Sequence, residues 1–112
     1  MKEIIVTGGR DYSDWNRVQE VLNLFEIDLI IQGGANGADY LATKYAKFYG
    51  RKWKTVAADW DLHGRAAGPI RNKEMLTAYP NAVIVAFPGG AGTADCVRQA
   101  NALKRIVLTV NK

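Results

Sequence analysis

Pro88-Gly89-Gly90-Ala91-Gly92-Thr93, directly after the apolar run Ala82-Val83-Ile84-Val85-Ala86-Phe87, is the stretch that decides how this chain is read. The run has the length and composition of a buried strand, and the six residues after it have the make-up of a phosphate-binding turn. Glycines tolerate positive φ and carry no Cβ, so consecutive N–H groups can converge on an anion. Thr93 is the expected N-cap of a helix whose first-turn N–H groups and dipole add to the same positive field. Glycine also builds ordinary turns, so the loop gains weight from repetition. Gly8-Gly9-Arg10 follows Ile4-Ile5-Val6-Thr7, and Gly33-Gly34-Ala35-Asn36-Gly37 follows Asp28-Leu29-Ile30-Ile31-Gln32.

Outward from these turns, strands alternate with helices. Ser13 or Asp14 starts a helix in which Trp15, Val18, Val21, Leu22 and Phe25 recur at helical spacing. Asn36 is the expected N-cap of the next helix, with Asp39 three residues on as in a capping box. That helix is expected to bury Leu41, Ala42, Tyr45, Phe48 and Tyr49 and to stop at Gly50. Trp53 to Ala57 reads as an edge strand because lysines alternate through it. Asp59 to Gly68 shows no period and reads as loop. Pro69 suits the first turn of a helix ended by Pro80. Thr93 to about Leu103 is the last helix and Ile106 to Val110 the last strand.

Alternation without room for hairpins implies parallel pairing with helices on both faces. The expected fold is α/β: a single Rossmann-like three-layer domain over residues 1–112, with a mostly parallel sheet of about five strands, suspected order 3-2-1-4-5. Ligands bind such sheets at the carboxyl ends of the strands, where the order reverses, and that order makes the Gly8 and Gly89 loops neighbours.

Composition sets outer limits. The 112 residues carry a formal charge of +4 and are 48% hydrophobic, which fits one globular domain and an anionic ligand without demanding nucleic acid. A lone cysteine, Cys96, allows no internal disulfide and no cysteine-built metal site. No metal or cofactor is expected. No apolar run approaches the ~20 residues that span a bilayer, and Met1-Lys2-Glu3 leads straight into the first strand. The expected location is the cytoplasm, with no membrane partner.

The candidate ligand residues are Gly8, Gly9, Arg10, Gly33, Gly34, Pro88, Gly89, Gly90, Gly92 and Thr93, joined by Arg65, Arg71 and Asn72 as a polar cluster able to grip phosphate. Tyr12 and Trp60 are candidates for stacking on a base. Asp39 reads first as a helix-start residue, and His63 lacks a partner for catalysis. Lys44, Lys47, Arg51, Lys52 and Lys54 interleave with Tyr45, Phe48, Tyr49 and Trp53. A nucleic-acid platform there is not expected, because the aromatics are needed for the buried stripe.

Gly8-Gly9-Arg10-Asp11-Tyr12, Gly33 to Asp39, Trp60, Gly64 to Asn72 with Met75, and Phe87 to Thr93 together resemble the YspA group of cpYpsA-related SLOG proteins, a superfamily that includes the Lonely Guy phosphoribohydrolases and DprA. The resemblance implies a Rossmann-like domain that binds a nucleotide or nucleotide-derived ligand as a sensor, sponge or processing domain, and a homodimer. Two alternatives come with it. One is cleavage of the N-glycosidic bond of a nucleoside monophosphate; the other is single-stranded DNA binding of the DprA type. Lonely Guy enzymes carry Pro-Gly-Gly-x-Gly-Thr-x-x-Glu, and here Cys96 stands where that glutamate would be. Any enzyme would therefore draw on Arg71 with Asp95 or Glu74 in place of the missing carboxylate.

Overall fold

The computed structural model describes residues 2–112. Its centre is a sheet of short strands rich in β-branched residues: β1 (Glu3–Thr7), β2 (Leu29–Gln32), β3 (Lys52–Thr55), β4 (Val83–Ala86) and β5 (Val107–Thr109). All pairings are parallel and the order is β3-β2-β1-β4-β5. β1 and β4 pair from Ile4 opposite Val83 to Thr7 opposite Ala86.

Alternate residues of these strands enter two separate cores. Ile4, Val6, Ile30 and Val85 pack with Val18 and Leu22 of α1 (Trp15–Leu22) and with Ala42 and Tyr45 of α2 (Ala38–Phe48). On the other face Ile5, Ile31 and Ile84 meet Met75 and Leu76 of α4 (Ala67–Ala78) and Ala100 of α5 (Ala91–Ala102). Burying a side chain of this size stabilises by about 1.5–3 kcal/mol, so the central strands need apolar residues toward both layers. β3 packs only one flank against a neighbour and is exposed throughout, as its lysines foretold. Among the described residues no helix is long and apolar enough to cross a membrane.

Several local expectations are corrected. Asp59 to Gly68 is not loop: Asp59 accepts from the Leu62 N–H at 3.1 Å and starts the four-residue helix α3 (Trp60–His63). A 3-10 turn (Gly64–Ala66) leads from it directly into α4. Pro69 is thus the third residue of its helix, where its missing N–H still costs no hydrogen bond. Gly37, not Asn36, is the N-cap of α2, with φ +71°. Gly90, not Thr93, is the N-cap of α5, and Thr93 lies within the first turn. The buried stripe of α2 runs Ala38, Leu41, Ala42, Tyr45, Ala46, which turns Phe48 outward to 69% exposure. Phe25 packs from beyond the end of α1.

Candidate functional site

The chain runs outward from β1 through β2 to β3, then returns to place β4 on the other side of β1. Connections after β1 and β4 therefore diverge, and a cleft of about 1070 Å³ opens between them at the carboxyl ends of the strands. Its walls are Gly8–Tyr12 after β1, Gly33–Asn36 after β2, and Pro88–Thr93 after β4, with Trp60 at the mouth and Arg71, Met75 and Asp39 below. The three glycine-bearing corners share one lip.

The corners are fastened to each other. Gly9 N–H donates to the Pro88 carbonyl at 2.8 Å, and the Gly9 carbonyl accepts from Tyr12 at 3.2 Å and Ala38 at 3.1 Å. A Cβ on Gly8 would sit 2.5 Å from that of Ala38, and one on Gly89 2.7 Å from the Gly9 nitrogen. Gly8 is required by the close approach of Ala38 and Phe87, and Gly89 by that of Thr93 and the Gly9 backbone. The Gly9 N–H is accordingly spent on Pro88 and is not free for an anion, which corrects that part of the expectation. Likewise no glycine of Pro88–Thr93 has positive φ; that conformation occurs at Gly34 (φ +80°) and Gly37.

α5 begins at the cleft. Its N-cap is a glycine without a side-chain acceptor, and no acid occupies its first turn. A Cβ on Gly90 or Gly92 would meet only open space. The first N–H groups of a helix have no intrahelical acceptor, so this end presents uncompensated donors and the positive end of the dipole to the lip.

The opposite wall is built on Gln32, whose buried side chain accepts from the Gly34 N–H and donates to Thr55 Oγ1. Gly33 leaves room for Arg71, since a Cβ there would overlap the guanidinium and lie 3.1 Å from Asp39 Oδ2. Arg71 Nη1 donates to the Gly33 carbonyl at 3.0 Å and Nε to Asn72 Oδ1 at 3.1 Å. Asp39, 7% exposed, accepts from the Ala35 N–H at 3.2 Å. Burial raises its pKa, and the Ala35 N–H, Arg71 and the Gly33 N–H each oppose that rise.

Other expected residues fall elsewhere. Asn72 is 1% exposed and does not line the cleft: its Nδ2 donates to the Gly92 carbonyl at 3.2 Å and to Asp95 Oδ2 at 3.0 Å, tying α4 to the start of α5. Asp95 also accepts from Gln99 and Arg98, each at 2.8 Å. Burial alone would raise its pKa, but these bonds outweigh it and hold the carboxyl below its usual range. Asp95 and the exposed Glu74 lie outside the cleft lining, as does the exposed Arg65. Arg10 is exposed at the mouth. Tyr12 tilts over Phe87 at 5.2 Å between ring centroids and donates its hydroxyl to the Lys112 carbonyl at 2.8 Å. Trp60 is 51% exposed over the cleft. Cys96 is wholly buried, its thiol pushed up to about 11 by burial. Thr7 lines the cleft and was not singled out from sequence; a strand-end threonine gives no signal there.

The sequence model of the YspA, cpYpsA-related SLOG family (YAcAr) matches residues 2–63, more than half of the chain and two of the three glycine corners. The chain belongs to that family. It is also 35% identical over 112 aligned positions to the Gene 61 protein of Mycobacterium phage D29, with 89% of each chain covered. Membership of a SLOG family makes a nucleotide-related molecule the expected class of ligand for this YspA-type chain.

Proposed function

We propose that this SLOG protein binds a nucleotide or nucleotide-derived molecule in the cleft and acts as a sensor or sponge for it. The observation that carries the reading is the start of α5, a glycine-capped helix end with no neutralising acid, opening onto a cleft shared by three strand ends. Phosphate would lie against the Gly90–Thr93 amides, with Arg71 Nη2 and Arg10 supplying charge, and Trp60 or Tyr12 would cover the base. Binding without turnover is favoured over glycosidic hydrolysis. Cys96 stays a neutral thiol, and the two carboxylates expected to replace the motif glutamate, Asp95 and Glu74, lie outside the cleft. Isothermal titration with AMP, GMP, CMP and UMP tests this: saturable binding, lowered about tenfold or more in Arg71→Ala, with each nucleotide recovered intact, is expected. Absence of binding by all four, or release of free base, contradicts it.

A second surface favours the DNA-binding alternative. Five of the 15 cations lie between Lys44 and Lys54, where no acid occurs. Phe48 and Trp53, assigned to a buried stripe from sequence, are 69% and 43% exposed. Cations interleaved with exposed aromatics suit single strands. On this reading oligo(dT) binds with a steep salt dependence carried by Lys44 and Lys47, and Arg71→Ala leaves it unchanged.

A further inference from the structure

The cleft is polarised, and this constrains its ligand beyond phosphate. One wall offers the first N–H groups of α5. The other holds an acceptor, Asp39, buried at the base of the Gly33–Asn36 corner. An ionised carboxylate has two oxygens and about four lone-pair directions. Among the described residues the Asp39 carboxylate accepts a hydrogen bond from the Ala35 N–H and makes no ion pair with Arg71. The positive end of α5 draws phosphate to itself, so a ligand that fills the cleft brings anionic oxygen to that wall and can turn hydrogen-bond donors toward Asp39. In a nucleotide, the donors nearest the phosphate are the sugar hydroxyls.

We propose that Asp39 is a specificity-determining residue that accepts hydrogen bonds from the ribose hydroxyls of the ligand, so that the cleft selects ribonucleotides over 2′-deoxyribonucleotides. The inference rests on the nucleotide reading of the cleft. Arg71, fixed to the Gly33 carbonyl, borders the same pocket, and its charge opposes the rise that burial imposes on the Asp39 carboxyl. A hydrogen bond to a charged acceptor, when lost, lowers affinity by about tenfold to a hundredfold.

The test compares AMP with 2′-dAMP and 3′-dAMP by titration calorimetry on the wild-type protein and on Asp39→Asn, with folding of the variant checked by circular dichroism. The expected result is a tenfold or greater preference of the wild type for AMP over at least one deoxy analogue, and a ratio near one in Asp39→Asn. Equal binding of all three by the wild type overturns the proposal and leaves nucleotide binding standing. Retained discrimination in a folded Asp39→Asn overturns it too. Failure of the wild type to bind any of the three, repeated with the GMP series, removes the underlying nucleotide reading as well. If Asp39→Asn does not fold, the wild-type comparison is joined by purine riboside monophosphate, which lacks the exocyclic amine. Discrimination that follows the amine rather than the hydroxyls assigns Asp39 to the base and overturns the proposal.

Discussion

Cys96 is fully buried, and the burial that makes its thiol unsuited to carboxylate chemistry also couples it to stability. Its thiol is raised from 9.0 to about 11, by burial first, with Arg71 and the Thr7 side chain opposing. The unfolded chain therefore releases this proton at lower pH than the folded one. Its contribution to stability is complete below about pH 9 and is lost as pH rises toward about 11. Urea midpoints measured at pH 8, 9 and 10 should fall more steeply for the wild type than for Cys96→Ala; parallel lines would contradict the assignment. Arg71 was legible as a cleft residue from its sequence context, whereas Asn72 beside it was placed there wrongly for a physical reason. Adjacent helical residues point about 100° apart, so Arg71 faces the cleft while Asn72 turns to Gly92 and Asp95.

At the scale of elements, the central strands were readable because a strand buried on both faces needs an unbroken apolar run, as in Ile4-Ile5-Val6 and Val83–Ala86. α3 was not readable: four residues hold no helical period, and only the Asp59 cap marks it. Phe48 was placed inside because tyrosine and phenylalanine suit a core stripe. The register actually used puts alanines against the sheet and leaves Phe48 beside Trp15 at 6.1 Å. Asp14 caps α1 as expected, accepting from the Arg17 N–H at 3.0 Å, but the starts of α2 and α5 were misread by assuming side-chain caps where glycine stands. Gly37 makes this testable. It has φ +71°, and a Cβ there would fall on the Gly9 carbonyl oxygen, whereas Gly50 has φ +66° with open space around it. Gly50→Ala should cost about 1 kcal/mol from backbone strain alone. Gly37→Ala should cost clearly more in the same urea titration, because the β1 corner must move as well. Equal costs would show that the corners are not packed as described.

For the whole molecule, sheet order is what turns scattered motifs into a site. Gly8, Gly33 and Gly89 are far apart in the chain, and parallel strands in the order β3-β2-β1-β4-β5 deliver all three corners to one lip. That convergence was legible from alternation and chain order alone. The juxtaposition of Asp39 and Arg71 was not, because it brings the start of α2 and α4 together around Gly33, and local patterning carries no trace of it. The charge of the chain divides in a similar way, with its excess cations concentrated along the end of α2 and β3, away from the cleft.

The most direct measurement is a ¹H–¹⁵N correlation titration of the full chain with AMP, repeated with GMP, CMP and UMP. Saturable shifts at the amides of Gly90, Ala91, Gly92 and Thr93, accompanied by those of Gly33 to Asn36, are the predicted result. No saturable shift at the start of α5 with any of the four, or shifts confined to α2 and β3, would contradict the account.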